Sequence, residues 1–146
     1  MKPLTLLTAL LILAVPSFAQ TPERRGDIGA DAPAGKIYIY KKSAGKPRQM
    51  EIYFPPGHDP AKAKVPGMIL FHGGSWGGGK LTQFRVACAY FASRGLVCAT
   101  AEYRKLSAAE AEKLPAGETK KRVCVTDAKS AIRWFKQHAT ELGIDP

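Results

Sequence analysis

The sequence predicts an α/β fold in which an antiparallel hairpin leads into a mostly parallel sheet with flanking helices. Three features of the 146 residues predict it. Two adjacent segments alternate polar and apolar residues around a turn. Two continuous apolar runs are separated by a segment with helical periodicity, and an amphipathic segment follows near the end of the chain. Such an order is typical of a sheet with helices packed on its faces.

The predicted hairpin consists of Lys36 to Lys41 and Gln49 to Phe54. Both segments alternate and are rich in β-branched and aromatic residues, which is a strand signal. Ala44-Gly45-Lys46-Pro47 supplies the turn between them, and Pro55-Pro56-Gly57 ends the second strand.

A strand–helix–strand unit is predicted after the hairpin. Met68 to Phe71 is a short apolar run, typical of a strand that is buried on both faces. Leu81 to Arg94 has apolar residues at helical spacing, and Gly95 closes the helix. Leu96 to Tyr103 is a second strand of the buried type. The two strands are therefore predicted to be parallel and joined by a right-handed crossover.

The last predicted helix is amphipathic. Its apolar stripe is formed by Val125, Ala128, Ile132, Phe135, Ala139 and Leu142. Ser107 to Thr119 is predicted as a surface excursion, and Lys120-Lys121-Arg122 as a solvated helix start. In this type of fold a helix leads into another strand, whereas the sequence stops at Pro146. We therefore expect residues 36–146 to form a partial domain.

The first 35 residues are predicted to lie outside this domain. Met1-Lys2 is a positive start, Leu4 to Val15 is apolar, and Ser17-Phe18-Ala19 places small residues before a cut at Gln20. These are the parts of a secretory signal peptide, predicted over residues 1–19 and followed by a flexible lead-in over residues 20–35. The apolar run is short for a bilayer. We expect a secreted or periplasmic protein with no stable membrane span.

Composition excludes several classes of function. The net charge is +10, but Lys and Arg are spread along the chain, so we expect no nucleic-acid partner. Cys88, Cys98 and Cys124 are too few for a disulfide scaffold. Buried free thiols and a single bridge both remain open. His58 is predicted to be exposed in a turn, and His138 to flank the last helix. No residue spacing resembles a metal site, and we expect no cofactor.

The glycine-rich stretch His72 to Lys80 follows a predicted buried strand, where open α/β sheets bind their ligands. Besides a plain glycine-rich turn, three interpretations compete. A phosphate loop is the first, because Gly74-x4-Gly79-Lys80 matches most of that pattern. However, Leu81 stands where Ser or Thr would ligate Mg²⁺.

A nucleophile elbow is the second interpretation. Gly73 to Gly77 matches G-x-S-x-G, and Ser75, Asp127 and His138 occur in the chain order of a hydrolase triad. Asp127 and His138 lie on one predicted helix, about 16 Å apart at 1.5 Å per residue. Because a triad needs its acid and base in hydrogen-bond contact, this interpretation is disfavoured.

An oxyanion loop is the third and favoured interpretation. The backbone N–H groups of Gly73, Gly74 and Ser75 would donate to a negative charge that develops on a substrate oxygen. His72 would brace the loop by hydrogen bonding without transferring a proton. Trp76 would flank the substrate pocket.

The segment from Lys46 to Pro146 resembles the N-terminal half of a secreted α/β-hydrolase of the esterase/lipase type. It is most similar to hormone-sensitive-lipase-like and carbohydrate-esterase-like bacterial enzymes. The matching segments are Met68 to Trp76 (MILFHGGSW), Arg94 to Arg104 (RGLVCATAEYR), Asp127 to Trp134 (DAKSAIRW) and Glu141 to Pro146 (ELGIDP). Ser75 stands where that family more often has a third glycine. The family's nucleophile elbow, acid and catalytic His have no counterpart in the sequence.

This resemblance implies the N-terminal part of an α/β-hydrolase fold, truncated before the nucleophile elbow. The function implied is that of a fragment of an exported serine carboxylic-ester hydrolase, which needs no cofactor. Small esters are the implied substrates, with acylated polysaccharides among them. Because the nucleophile, acid and base are missing, we expect this chain alone to be inactive. The alternative is a non-catalytic exported α/β module or an inert gene fragment.

Overall fold

The structure is a computed structural model that describes residues 33–145. The predicted signal peptide and most of the predicted lead-in lie outside the described residues. The elements are β1 (Lys36–Ser43), β2 (Lys46–Tyr53), β3 (Val65–Phe71), α1 (Arg85–Ser93), β4 (Val97–Ala101), α2 (Ala108–Glu112), α3 (Lys120–Gln137), α4 (Ala139–Leu142) and β5 (Ile144–Asp145). A 3-10 turn, Leu81–Phe84, replaces the first turn of the predicted helix before α1.

The strands form one mixed sheet in the order β1-β2-β4-β3-β5. The predicted antiparallel hairpin and the predicted parallel pair of β3 and β4 are both confirmed. The sequence does not predict how the hairpin joins the parallel pair. In the structure, β2 pairs antiparallel with β4 and not with β3, its successor in the chain. Helices α3 and α4 pack on one face of the sheet, and α1 packs on the other.

A bulge in β1 places two consecutive side chains on the same face of the sheet. The register with β2 shifts between Ile39 and Lys41, so Tyr40 has no opposite residue. Tyr40 is buried in the core cluster shared with α3, and Lys41 also reaches α3, where it contacts Asp127. In an uninterrupted strand, neighbouring side chains point to opposite faces.

The two central strands differ in burial. All of β4 is buried, because it has strands on both sides and helices on both faces. The sequence predicts the same for β3, and this is wrong: its residues are half-buried or exposed. The reason is its outer edge, which among residues 33–145 is paired only at Val65 and Pro66, with β5.

The buried face of α3 is rotated relative to the predicted stripe. The buried residues are Val123, Cys124, Asp127, Ala131 and Phe135. Two members of the predicted stripe, Val125 and Ile132, are instead 37% and 43% exposed. The predicted stripe differs from the buried face because hydrophobicity does not identify Asp127, a buried carboxylate, as a core position.

The structure also shows the surroundings of His58, the state of the cysteines and the character of the helices. His58 is half-buried and not exposed as predicted, since its Nε2 lies 2.8 Å from the carbonyl oxygen of Leu142 and its ring stacks on Phe54. The cysteines are all buried and free. None of the helices in the described part of the chain is long and apolar enough to cross a membrane.

Candidate active site

The loop after β3 contains a strained turn. The N–H groups of Gly77 and Gly78 donate to the carbonyl oxygen of Gly74 over 3.1 and 2.8 Å. The residues inside this turn, Ser75 and Trp76, have φ angles of 51° and 66°. Left-handed conformation costs a residue with a Cβ about 1–2 kcal/mol. Strain of this kind clusters at ligand-binding segments of proteins.

Two glycines of the loop have no room for a side chain. A Cβ on Gly74 would lie 2.4 Å from the carbonyl carbon of Gly78. On Gly79, whose φ is +91°, it would lie 2.1 Å from the carbonyl oxygen of Gly73 and 2.2 Å from Nδ1 of His72. Glycine at these two positions therefore allows the loop to fold back on its own first residues.

The loop carries unpaired backbone donors. The N–H of Gly73 donates to Oε1 of Gln83 over 2.9 Å, so it is engaged within the protein. Those of Gly74, Ser75 and Trp76 have no acceptor among the described residues. The sequence did not single out Trp76 as a donor or Gln83 as a partner, because both roles depend on how the turn closes.

His72 holds the base of the loop. It is buried, and its ring stacks on Tyr103 with 4.2 Å between the ring centroids. The hydroxyl of Tyr103 donates to the carbonyl oxygen of His72 over 2.7 Å, and His72 Nδ1 lies 3.0 Å from the carbonyl oxygen of Gly73. Because a carbonyl only accepts, Nδ1 carries the hydrogen.

Burial keeps His72 neutral. It lowers the pKa of the imidazole below its ordinary value, which already lies under neutral pH. The other ring nitrogen, Nε2, is buried and has no hydrogen-bond partner in the described structure. These contacts are those of a positioning residue and not of a proton carrier.

A cavity of about 580 Å³ opens beside the loop. Its walls are Phe71, the loop from His72 to Trp76, Tyr103 and one face of α3, formed by Cys124, Val125, Ala128, Lys129 and Ile132. The exposed apolar face of α3 is therefore a wall of the cavity. Its volume lies within the range of small-molecule sites.

A buried carboxylate connects α3 to β1 and to the segment that follows β4. Asp127 accepts hydrogen bonds from Lys41 Nζ at 2.7 Å and from Arg104 Nε at 2.8 Å, and also from the backbone N–H of Arg104 at 3.1 Å. Burial alone would raise the pKa of this carboxyl, but the hydrogen bonds from Arg104 and Lys41 lower it below its ordinary value. We call these three residues the Asp127 clamp.

The clamp excludes the elbow triad considered above. Asp127 is fully engaged by cations, and Nδ1 of His138 lies 2.8 Å from the carbonyl oxygen of Trp134. No hydrogen bond to the hydroxyl of Ser75 occurs within residues 33–145, and this part of the chain holds no cluster of His, Cys, Asp and Glu that could bind a metal. Ser75 therefore lacks the base that activates a serine nucleophile.

Comparison with known proteins gives the family. The sequence model of the BD-FAE family matches residues 50–146, about two thirds of the chain. The chain belongs to the BD-FAE family. The match includes β2 from Met50 onward, the loop after β3, the cavity, and the Asp127 clamp except Lys41.

Known esterases are similar to this BD-FAE chain in sequence and in structure. The carboxylesterase NlhH of Mycobacterium tuberculosis is 31% identical over 98 residues, which are 66% of this chain and 27% of NlhH. The native Est2 esterase of Thermogutta terrifontis is 39% identical with a TM-score of 0.66, over 78% of this chain and 38% of that one. Est2 with bound propionate is 37% identical with the same TM-score, over 86% and 40%.

These similarities confirm the predicted fold class, an incomplete α/β-hydrolase fold of the esterase/lipase type. The BD-FAE chain spans about a quarter of the length of the curated relatives and about two fifths of the solved esterases.

Proposed function

We propose that this BD-FAE chain forms the oxyanion-binding part of a serine carboxylic-ester hydrolase. The observation that carries the proposal is the strained turn of the loop after β3, in which the N–H groups of Gly74 and Ser75 have no acceptor among residues 33–145 and lie beside an apolar cavity. Membership of a family with esterase relatives supports the same reaction class.

In the proposed reaction, a serine oxygen attacks the ester carbonyl, the alcohol leaves, and water then releases the acid. During each attack the carbonyl oxygen becomes an oxyanion. Gly74 and Ser75 would donate their N–H groups to it, which is worth about 2.7–4 kcal/mol for one such donor in a related chemistry. We infer that Ser75 acts through its backbone and that the nucleophile, acid and base belong to sequence outside residues 1–146.

For the substrate, we propose a small ester whose acyl group occupies the cavity. Solved structures of the similar esterase Est2 hold propionate and butyrate, which are short carboxylates. Trp76 is 39% exposed at the cavity wall and would contact the alcohol part of the ester. Acylated polysaccharides are the natural esters that we propose for this exposed side.

Activity measurements test whether Ser75 acts through its backbone N–H and not as the nucleophile. We expect the 146-residue chain to hydrolyse p-nitrophenyl acetate no faster than buffer, and Ser75→Ala to change nothing. The coding sequence after Pro146 should continue in frame into a strand followed by G-x-S-x-G. Turnover by the chain that disappears in Ser75→Ala would contradict the proposal and make Ser75 the nucleophile.

We also propose that the protein is exported, on the basis of the tripartite start of the sequence. The intact mass of protein recovered from a secreting host should correspond to a chain that begins at Gln20. A recovered species that keeps residues 1–19 would contradict export through a cleaved signal peptide.

A further inference from the structure

Four lysines lie at the cavity or at the glycine loop beside it: Lys105, Lys120, Lys121 and Lys129. We call them the lysine rim. Lys129 lines the cavity itself, and Lys121 Nζ lies 5.9 Å from the ring centroid of Trp76, which also lines it. Lys121 and Lys129 therefore lie at the cavity that a substrate would occupy beside the oxyanion loop.

The other two members hold the glycine loop. Lys105 Nζ donates to the carbonyl oxygen of Gly79 over 2.7 Å. Lys120 Nζ lies over Gly77, 2.9 Å from where a Cβ of that residue would be. The positive charge is thus concentrated on the loop as well as on α3.

No carboxylate of the described chain forms a salt bridge with the rim. The carboxylates that do form one are used elsewhere: Asp127 by Lys41 and Arg104, Asp59 by Lys62, and Glu51 by Arg85. Positive charges at the cavity and its loop that pair with no carboxylate of residues 33–145 create a field that attracts anions.

The start of α3 shows that this charge has a cost. Its first turn is Lys120-Lys121-Arg122, with no acidic residue in it. Because the N-terminus of a helix is the positive end of its dipole, cations there are unfavourable. Lys121 and Arg122 are exposed, as predicted for a solvated helix start.

We propose that the lysine rim binds carboxylates on the alcohol part of the ester, so that the substrate is a short acyl ester of an oligosaccharide that contains uronic acids. The proposal rests on the esterase function proposed above. The cavity walls are mainly apolar and suit the acyl group, whereas Lys121 lies beside the exposed ring of Trp76, where we place the alcohol part. The charge therefore belongs to the alcohol and not to the acyl group.

The test is binding of matched oligosaccharides to the full chain by calorimetry at low salt. The probes are an acetylated oligogalacturonate and an acetylated xylo-oligosaccharide of the same length. We expect the acidic probe to bind more tightly. Lys121→Gln/Lys129→Gln should weaken its binding about three- to tenfold, since two exposed ion pairs would be lost, and leave the binding of the neutral probe unchanged.

The control variant is Lys62→Gln/Lys64→Gln, which removes the same charge. Both of its residues precede β3, whose 7 residues span about 23 Å and separate them from the loop. Equal affinity for the two probes, no binding of either, or equal weakening in both variants would overturn the proposal. The last result would mean diffuse attraction to a basic protein.

Hydrolysis of neutral p-nitrophenyl butyrate by the product of the whole gene separates the two proposals. Hydrolysis together with equal probe affinities removes the role of the rim and leaves the esterase function. Selective binding of the acidic probe without any hydrolysis supports the rim as an anion site and contradicts the esterase function.

Discussion

Gly77 and Gly79 lie in the same loop, yet the structure predicts opposite responses to a methyl group. A Cβ on Gly79 would collide with the backbone of Gly73 and the ring of His72, and its φ of +91° is unfavourable for alanine. A Cβ on Gly77 would meet only the end of the Lys120 side chain, which can move.

We expect Gly79→Ala to lower the free energy of unfolding by about 2–4 kcal/mol, because the collision adds to the backbone strain. Gly77→Ala should change it by less than about 0.5 kcal/mol. Urea denaturation of both variants measures the difference. Equal stability of the two would show that the loop does not fold back onto His72.

At the candidate site, the sequence predicts where the loop lies but not which hydrogen bonds it forms. The glycine pattern after an apolar run locates the loop, and His72 to Trp76 all line one cavity. The occupation of the Gly73 N–H by Gln83 could not be predicted, because it depends on the 3-10 turn that replaces the start of the predicted helix. Local patterns locate such a loop, but its hydrogen bonds depend on tertiary contacts.

At the scale of elements, the Asp127 clamp joins β1, the segment that follows β4, and α3. Lys41 and Asp127 are 86 positions apart in the chain, and Arg104 and Asp127 are 23 apart. Contacts between residues so far apart in the chain cannot be predicted from the periodicity of the sequence. This is why the buried face of α3 was predicted one residue off, whereas β1, β2 and β4, which follow local patterns, were located correctly.

We expect Asp127→Asn to destabilise the protein by about 3 kcal/mol, because it leaves two cations without their carboxylate at a buried position. Lys41→Met is the milder comparison, since Arg104 would still pair with Asp127. Urea denaturation at neutral pH measures both. A smaller loss in Asp127→Asn than in Lys41→Met would contradict the clamp.

The same carboxyl makes stability depend on pH. Its pKa is lowered in the folded protein, whereas in the unfolded chain it is about 3.9. The stabilisation by ionised Asp127 is therefore present above the pKa of the unfolded chain. It is lost as the pH falls through the lower pKa of the folded protein. Between neutral pH and pH 3, the stability advantage of the wild type over Asp127→Asn should shrink.

At the scale of the whole molecule, the outer edge of β3 is an apolar surface that is open to association. The outer edge of β3 is unpaired from Gly67 to Phe71 among the described residues. Beside it lies a second cavity, of about 330 Å³, that shares Phe71 and Ile132 with the first. An unpaired strand edge next to apolar side chains favours association between molecules.

We expect the chain from Gln20 onward to self-associate through this surface, and Ile132→Lys to reduce the association. Val86→Lys is the control, because Val86 is at least as exposed but lies on α1, on the opposite face of the sheet. Sedimentation velocity at several concentrations measures both variants. A monomeric wild type with a sharp thermal transition would contradict this prediction.

The strand order has a consequence for synthesis. The β1–β2 hairpin pairs with the rest of the sheet through β4 and not through β3. This pairing cannot be complete until Ala101, the last residue of β4, has been translated. At about 5–20 residues per second, this takes about 2–10 s after Tyr53 has been added. A two-stranded hairpin is marginally stable in water, so Met50 and Ile52, both fully buried at the end, remain open to chaperones or an export machine throughout that interval.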